Sequence, residues 1–334
     1  MRPRGVFTLS LDFELIWGTR DIAGLSFARQ CELERDVVID RLLDLLHRYE
    51  IRATWCTLGH LFLDACSSGE DGRKHPDLVR PHHRWWPQDW FAQDPCSDET
   101  TDAIWYGKSL VERIRRCPTP QEIGCHTFSH VILGDPGCSR ETARSELEKC
   151  VELAREIGVD LASLAFPRNE VGHLDVVREL GFRCYRGTEP NWYARPRVPP
   201  PVRRAAHLFD VLVARTPPVV EIAERLPDLY DVPGSMIFFP SHGARRHLPT
   251  AQRVRRAHRG LQRAERERRI FHLWLHPTNL ADEMEAMFAG LEAVLREAAQ
   301  RRAAGTLDIA SMAALLPSSG GEHVAATGGR GNGR

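Results

Sequence analysis

Hydrophobic positions along the chain follow two alternating periods, and this alternation predicts an α/β fold. Between Glu34 and Glu50 the apolar residues Val38, Leu42 and Leu46 recur at helical spacing. Continuous apolar runs, typical of buried strands, lie before and after this helix and predict a β-α-β beginning with a parallel sheet. The predicted strands are Val6–Leu11, Arg52–Leu58, Pro120–Gly124, Leu161–Phe166, Phe182–Arg186, Ser235–Pro240 and Ile270–Leu275. The predicted helices are Glu34–Glu50, Tyr106–Arg116, Ser139–Gly158, Gly172–Leu180 and Ala281–Arg302.

Residues with metal-binding chemistry follow the strand Pro120–Gly124. His126 and His130 are four residues apart, so on a single helical turn both imidazoles would face the same side and reach one metal ion. Such a site would lie at the carboxyl end of a strand, where α/β folds place their chemistry. The alternative is that the two histidines are surface residues that share this spacing by chance.

Two carboxylates end the first predicted strand. Residues i and i+2 of a strand point to the same side, so Asp12 and Glu14 would face one pocket. Two carboxylates so close repel each other unless a cation compensates the charge. A solvated strand end is the alternative interpretation. Together with His126 and His130, however, the pattern favours a metal site with two histidines and one carboxylate, beside a second, free carboxylate.

Several stretches resemble the polysaccharide deacetylases of the NodB-homology type, which are metal-dependent de-N-acylases. His126-Thr127-Phe128-Ser129-His130 matches that family's H-[ST]-x-x-H signature in full. Four further stretches are similar to family motifs and occur in the expected order: Ser10–Glu14, Ala53–Gly59, Phe166–Asn169 and Leu275–Pro277. The similarity spans roughly residues 5–316. It implies an α/β fold of the distorted (β/α) barrel type.

The resemblance also implies how the metal site works. Glu14, His126 and His130 would hold one divalent metal ion, for which Zn²⁺ is expected, and Asp12 would be the catalytic base. Many family members have two adjacent aspartates at the first motif. Here Phe13 takes the second place, so the ligand role passes to Glu14.

Two further catalytic roles follow from the same resemblance. His276, at the end of the predicted strand Ile270–Leu275, would be the general acid. Arg168 would pair with Asp12 and keep it ionised, although it follows its proline whereas the family's arginine precedes it. The segment Glu189–Trp192 is the nearest counterpart of the acidic-tryptophan motif that orients the histidine in the family.

A Trp-rich insertion at about residues 67–105 interrupts the regular pattern. It is rich in proline and lacks periodicity, and long irregular insertions in compact domains usually have a function. Its tryptophans would either stack on the rings of a sugar substrate or anchor the insertion to the rest of the fold; both interpretations are open. The candidate substrate contacts are Trp17, Trp86, Trp90, Trp105, Asn169 and Trp192.

The amino-acid composition of the chain limits the expected functions and the expected cellular location. The 334 residues have a formal net charge of zero, which gives no indication of nucleic-acid binding. The arginines between Arg253 and Arg269 are interpreted as the solvated face of a helix. No apolar run is long enough for a transmembrane segment, and Met1-Arg2-Pro3-Arg4 has no signal-peptide core. With nine cysteines, an odd number, a reducing cytoplasm is expected.

The expected organisation is one deacetylase-like domain, residues 1–316, followed by a disordered Gly/Ser-rich tail, residues 317–334. The expected partner is a small-molecule or glycan-precursor substrate, and the oligomeric state is not predicted. The expected reaction removes an N-acyl group, most simply acetyl, from an amino sugar or glycoside intermediate. The alternatives are hydrolysis of a non-sugar amide or cyclic ureide on the same fold, and a catalytically inactive carbohydrate-binding relative.

Overall fold

The computed structural model describes residues 2–190, 198–199, 202, 206, 209–210, 213–241 and 248–317. The strands are β1 (Gly5–Phe13), β2 (Thr54–Thr57), β3 (Glu122–Cys125), β4 (Ser163–Ala165), β5 (Cys184–Arg186), β6 (Ala223–Leu226), β7 (Leu229–Asp231), β8 (Met236–Ile237), β9 (Ile270–Leu275) and β10 (Leu307–Ile309). The helices are α1 (Arg20–Ala23), α2 (Ala28–Leu33), α3 (Ile39–Arg48), α4 (Lys108–Arg115), α5 (Arg140–Glu156), α6 (Leu174–Glu179), α7 (Thr250–Glu267) and α8 (Met284–Ala303). A π-helical turn, Glu34–Val38, precedes α3. Short 3₁₀ turns are Leu15–Gly18, Gly24–Phe27, Gly59–Phe62, Ala103–Trp105, Pro167–Asn169, Pro277–Leu280 and Ala313–Leu315.

The strands form one curled sheet in the order β6-β7-β5-β4-β3-β2-β1-β9-β8, and β10 pairs with the start of β1. Every pair is parallel except the hairpin β6–β7. The expected α/β fold, a distorted (β/α) barrel, is therefore confirmed. Strand β1 lies between β2 and β9, and all nine of its residues are buried, as expected for the centre of a sheet covered on both faces.

Some predicted boundaries differ from the structure. The predicted strand Ser235–Pro240 contains only the two-residue β8, and the hairpin β6–β7 and strand β10 were not predicted. Short strands with few apolar residues give too weak a pattern to be found from sequence. Residues 318–334 of the tail that is expected to be disordered lie outside the described residues.

The prediction that the arginines after Arg253 form a solvated helix face is wrong at the start of α7. Arg253 is 1% exposed, and its guanidinium donates to the carbonyl oxygens of Phe239 (3.0 Å), Leu248 (2.8 Å) and Pro240 (3.1 Å). Arg256 is also buried. The planar guanidinium can satisfy several backbone acceptors at once, which explains why arginine is tolerated inside.

The insertion is irregular, as predicted. Between residues 64 and 102, all of which are described, only two isolated bridges occur, Ala65 with Asp98 and Ser68 with Lys74. Side-chain contacts and single backbone hydrogen bonds, such as His82 N–H to the Gly137 carbonyl oxygen at 2.7 Å, therefore hold this segment in place. None of the helices in the described residues combines the length and hydrophobicity that a bilayer span requires.

Candidate active site

Five polar side chains gather at the carboxyl edge of the sheet. Strand β1 carries Asp12 and is followed by Glu14, while β3, β5 and β9 lead to His126, Arg186 and His276. Because these strands run in the same direction, their carboxyl ends meet at one edge. With His130, which lies beside Glu14, the structure thus brings five of the predicted catalytic and metal-binding residues together, and it adds an arginine that was not predicted.

Asp12 is held by Arg186 in a bidentate ion pair. The two guanidinium nitrogens lie 2.5 and 2.6 Å from the two carboxylate oxygens, and both side chains are buried. The guanidinium also donates to Ser10 Oγ (3.2 Å) and to Asn169 Oδ1 (3.1 Å). Burial acts to raise the pKa of Asp12, but the Arg186 charge outweighs it and holds that pKa below its ordinary value. Asp12 is therefore an ionised carboxylate at neutral pH.

The buried His272 supports the Asp12–Arg186 pair through the Ser10 hydroxyl. His272 Nδ1 lies 3.2 Å from the carbonyl oxygen of Pro233, which can only accept, so Nδ1 carries the proton. His272 Nε2 then accepts from the Ser10 hydroxyl at 2.8 Å, and the Ser10 oxygen accepts from Arg186. Burial lowers the pKa of His272 to about 3, so the imidazole is neutral.

Glu14, His126 and His130 form a compact cluster of metal-binding groups. Glu14 Oε2 lies 3.0 Å from His126 Nε2 and 3.3 Å from His130 Nε2, and all three side chains are buried. Burial acts to raise the pKa of Glu14, but the imidazoles of His276 and His130 outweigh it and hold the pKa well below its ordinary value. We refer to these three ligand candidates, with Asp12 and His276 beside them, as the open centre.

The donor atoms of the open centre fit a divalent cation. His126 Nδ1 donates to the carbonyl oxygen of Ala165 at 2.9 Å, so the Nε2 lone pair faces Glu14. Nitrogen lone pairs and a carboxylate that face each other in a buried site repel unless a positive charge, either a proton or a metal ion, lies between them. Two ligands about 2.1 Å from a tetrahedral ion are about 3.4 Å apart, close to the observed separations. Gly18 leaves room for the carboxylate, because a Cβ there would come within 1.8 Å of Glu14 Oε1.

The segment from His126 to His130 is a loop, so the predicted helical turn is wrong. Thr127 and His130 have φ values of 59° and 64°, in the left-handed region that non-glycine residues seldom adopt. The loop still directs both imidazoles toward Glu14. A spacing of four residues is compatible with several backbone paths, and tertiary contacts select this one.

Buried hydrogen bonds hold the loop in this conformation. Glu146, from α5, accepts from the backbone N–H groups of Phe128 (3.0 Å) and Ser129 (2.8 Å) and from the Ser129 hydroxyl (2.6 Å). On the other side, the backbone N–H of Gly59 donates to the carbonyl oxygen of Thr127 at 2.7 Å. Such surrounding contacts are what allow unusual backbone angles to persist at a site.

His276 lies at the rim of the open centre. Its Nε2 is 3.4 Å from Glu14 Oε1 and 3.7 Å from Asp12 Oδ2, and its side chain is 29% exposed, whereas both carboxylates are buried. Glu189, in the segment proposed to orient this histidine, accepts from Trp274 Nε1 at 3.0 Å. The structure therefore connects Glu189 to the strand that carries His276.

The predicted partnership of Arg168 with Asp12 is wrong. Arg168 donates to Asp21 at 2.5 Å and lies over the Trp85 ring at 4.4 Å, while Arg186 binds Asp12. A signal for Arg186 existed, because this arginine ends an apolar predicted strand just as Asp12 and His276 follow theirs. The motif around Pro167 drew attention to the wrong arginine.

Three of the tryptophans proposed to contact substrate are core residues. Trp17, Trp90 and Trp105 are 0%, 2% and 5% exposed, so the anchoring interpretation applies to them. Trp17 Nε1 donates to the Trp105 carbonyl oxygen (3.0 Å), and Trp90 Nε1 donates to Ser129 in the loop between His126 and His130. Trp86 is partly buried. Asn169 reaches the open centre through Arg186, and Trp192 lies outside the described residues.

Comparisons with known proteins agree with this architecture. Residues 34–184 match the family model of polysaccharide deacetylases. The matched segment contains His126 and His130, begins after Asp12 and Glu14, and ends before Arg186 and His276. Among curated proteins, none matches the chain significantly.

Solved structures share the fold over almost the whole chain. A candidate polysaccharide deacetylase from Mycobacterium smegmatis is 14% identical, with 94% of this chain and 90% of that chain covered and a TM-score of 0.60. A probable polysaccharide deacetylase from Pseudomonas aeruginosa PAO1 is 11% identical, with 93% and 88% covered and a TM-score of 0.56. The allantoinase PuuE is 10% identical, with 93% and 87% covered and a TM-score of 0.54.

At these identities the structural likeness concerns the fold. Taken with the family-model match, it confirms the resemblance that the sequence motifs predicted. The chain is therefore similar to the polysaccharide deacetylases in sequence over residues 34–184 and in fold over almost its whole length.

Proposed function

We propose that this protein is a metal-dependent hydrolase that removes an N-acyl group, most simply acetyl, from an amino sugar. The observation that carries the proposal is the convergence of Glu14, His126 and His130 on one point, with Asp12 and His276 beside it. Three donors are the usual number at a catalytic metal site, since the remaining position serves water or substrate. The family-model match supports hydrolysis of an acyl group as the reaction class.

Glu14, His126 and His130 would hold one divalent ion, with Zn²⁺ expected because it accepts imidazole and carboxylate ligands. A bound ion would supply Lewis-acid activation of a water molecule and of the acyl oxygen. The chain's own contribution is to fix the three donors in place, through the Ala165 carbonyl behind His126 and the left-handed loop at His130.

Asp12 would accept the proton of the attacking water. Arg186 keeps this carboxylate ionised and fixes its orientation through two hydrogen bonds. A base held by such a pair is weaker than a free carboxylate, but it is always in the reactive form at neutral pH. The role of Arg186 is therefore that of a positioning residue.

His276 would donate a proton to the departing amine. An amide nitrogen is a poor leaving group, so its expulsion requires a proton donor near the reacting bond. His276 is the more exposed of the titratable groups and lies at the rim, where a substrate amine would leave. The backbone of Pro277, which follows it, begins a 3₁₀ turn that fixes the end of the strand.

The proposed substrate is an N-acylated amino sugar, free or attached to a nucleotide, lipid or glycoside, in carbohydrate metabolism. The cytoplasmic location expected from the sequence would favour such precursors over mature cell-wall polymers. A cyclic ureide is the second candidate, since the allantoinase PuuE shares the fold.

The direct test is to load the purified protein with Zn²⁺ and measure acetate and free amine released from a panel of N-acetylated amino sugars. Allantoin, with detection of ring opening, forms the second arm. Release of acetate from a sugar would support the proposal. Ring opening of allantoin without acetate release would favour the ureide reaction, and binding of sugars without either reaction or metal would favour the inactive relative.

A further inference from the structure

A second group of metal-binding side chains lies in the insertion, behind the open centre. His60, Cys66, His75 and Asp94 each direct one donor atom to a common point, and these atoms all lie within 4.8 Å of one another. His60, His75 and Asp94 are buried and Cys66 is partly buried. We call this group the closed cluster.

The separations in the closed cluster resemble those between ligands of one ion. Cys66 Sγ lies 3.7 Å from His60 Nε2 and 3.9 Å from Asp94 Oδ2, and His60 Nε2 lies 3.5 Å from Asp94 Oδ2. Around a tetrahedral zinc ion the corresponding separations are about 3.4–3.6 Å. The short pair is His75 Nε2 with Asp94 Oδ2, at 2.7 Å, a hydrogen bond that a bound ion would replace.

The surroundings direct the donor atoms inward. His60 Nδ1 lies 3.1 Å from the carbonyl oxygen of Trp105, so Nδ1 carries the proton and the Nε2 lone pair faces the cluster. Asp94 Oδ1 accepts from the backbone N–H of Cys96 at 2.9 Å, which leaves Oδ2 for the cluster. A backbone carbonyl behind a histidine and an N–H behind a carboxylate are typical supports of metal ligands.

We propose that the closed cluster binds one zinc ion through His60, Cys66, His75 and Asp94. One thiolate, one carboxylate and two neutral imidazoles would cancel the charge of the ion, so the complex could be buried at little electrostatic cost. Four protein ligands leave no position for water, which defines a structural rather than a catalytic site.

The position of the closed cluster indicates what the ion would stabilise. Three ligands come from an insertion without regular structure, and His60 lies in the 3₁₀ turn after β2. The backbone N–H of His60 donates to the Phe128 carbonyl oxygen at 2.9 Å, within the loop of the open centre. A bound ion would therefore fasten the insertion to the turn that supports the catalytic loop.

Cys96 offers Cys66 an alternative to metal binding, which is a disulfide bond. Its Sγ lies 3.1 Å from Cys66 Sγ, so oxidation of the two thiols by a mild oxidant such as a disulfide reagent could join them in a disulfide with loss of two hydrogens. In the proposal Cys66 is a ligand and Cys96 is not. Metal binding requires Cys66 as a thiolate, whereas a disulfide with Cys96 requires its sulfur to be oxidised.

The test compares metal content and cobalt spectra of the full-length protein and its variants. The open centre has no sulfur donor, so a sulfur-to-cobalt charge-transfer band in the near ultraviolet reports the closed cluster alone. The wild-type protein should hold two metal ions per chain and show this band after cobalt replacement. His126→Ala should retain one ion and the full band.

Cys66→Ala should lose one ion and the band, while the matched variant Cys96→Ala should retain both. Should Cys66→Ala fail to fold, the wild-type and His126→Ala spectra decide the question without it. The proposal would be overturned by wild-type protein that binds cobalt without a sulfur band. It would also be overturned by loss of all metal in His126→Ala, or by a Cys66–Cys96 disulfide in protein purified with its thiols blocked. Since no readout involves turnover, failure here leaves the proposed hydrolase function standing, and inactivity leaves this site standing.

Discussion

The open centre and the closed cluster share a loop but place opposite demands on a metal ion. The loop's histidines, His126 and His130, belong to the open centre, while the Phe128 ring between them packs against His60 and His75 of the closed cluster at 5.5 and 5.3 Å. The open centre offers three ligands and has further titratable groups at its side. The closed cluster offers four ligands and is lined by aromatic rings. The number of ligands thus separates a site suited to chemistry from one suited to stability.

The two groups also differ in how the chain assembles them. The open centre collects residues from β1, β3 and β9, which are far apart in sequence, because parallel strands end at the same edge. The ligands of the closed cluster lie between residues 60 and 94, joined by irregular chain. The open centre therefore depends on the pairing of the strands. The closed cluster can stabilise a segment that lies outside the sheet.

The largest expected effect comes from removing a ligand of the open centre. His126→Ala should lower turnover by about 10³-fold or more, because several kcal/mol of transition-state stabilisation is lost with the ion. Metal content should fall by one ion per chain. The control is His258→Ala on α7, far from both groups in the fold, which should leave both quantities unchanged. Full metal content in His126→Ala would contradict the assignment.

The groups beside the ion should affect rate without affecting metal content. Asp12→Asn and His276→Ala should each lower turnover by about 10²–10⁴-fold, the usual contribution of a general base or acid. Elemental analysis of the same preparations should show the wild-type metal content. If Asp12→Asn lost the ion while Glu14→Gln kept it, the roles of the two carboxylates would be reversed.

The two arginines near the open centre should differ in their effect on stability. Arg186→Gln leaves Asp12 as an unpaired charge in a pair buried on both sides, so the free energy of unfolding should fall by about 3–5 kcal/mol. Arg168→Gln leaves the buried Asp21 carboxylate without its partner, but this arginine is 32% exposed and water can reach it, so the loss should be smaller, about 1–3 kcal/mol. Denaturant unfolding of both variants measures the difference. Equal losses would mean that Asp12 does not depend on Arg186.

The sequence predicted which residues meet in the open centre because most of them follow strong apolar strands; their roles stay predictions. Asp12, His126 and His276 each stand at or just past the end of such a strand, and parallel pairing then brings them together. Arg186 meets the same criterion, whereas the motif around Pro167 predicts Arg168, because motif similarity does not take strand position into account. The path of the loop between the histidines depends on contacts with Glu146, which no local pattern contains.

The insertion was predicted less well. Tryptophan composition does not distinguish a ring that packs in the core from one that faces a substrate, so Trp17 and Trp90 were assigned to the wrong group. The closed cluster was not predicted at all. Its ligands are separated by 6, 9 and 19 residues (66 − 60, 75 − 66 and 94 − 75), which matches no familiar metal-binding spacing. Only the folded insertion brings them together.

Glu34 is a further buried acid, and its surroundings raise its pKa instead of lowering it. It is fully buried at the start of the π-helical turn, and burial, with a contribution from the Glu14 charge, raises its pKa to about 8. The folded state therefore favours the protonated form. The stabilisation is complete below the unfolded-state pKa, near 4.5, and is lost as the pH rises to about 8.

Glu34→Gln should remove this pH dependence. Between pH 5 and pH 8, the unfolding free energy of the wild type should fall relative to the variant by up to about 1.4 kcal/mol per pH unit. The control is Glu32→Gln, an exposed position on the preceding helix, which should keep the wild-type slope. Parallel curves for wild type and Glu34→Gln would show that Glu34 is ionised in the folded protein.

The smallest expected effect is that of Trp86→Ala. This variant tests whether the insertion, besides contributing residues to the closed cluster, also contacts the substrate. Among the described tryptophans proposed to contact substrate, Trp86 is the one that is partly exposed, and its ring centroid lies 5.8 Å from that of Trp90. If the exposed edge of the Trp86 ring stacks on a sugar, Trp86→Ala should raise KM by roughly fivefold, equivalent to about 1 kcal/mol of binding free energy. The value of kcat should change little, because stacking stabilises the ground state and the transition state alike. Trp90→Ala should instead destabilise the fold by about 3–5 kcal/mol, because it empties a buried site. An unchanged KM in Trp86→Ala, measured on protein with wild-type stability, would assign the insertion to anchoring alone.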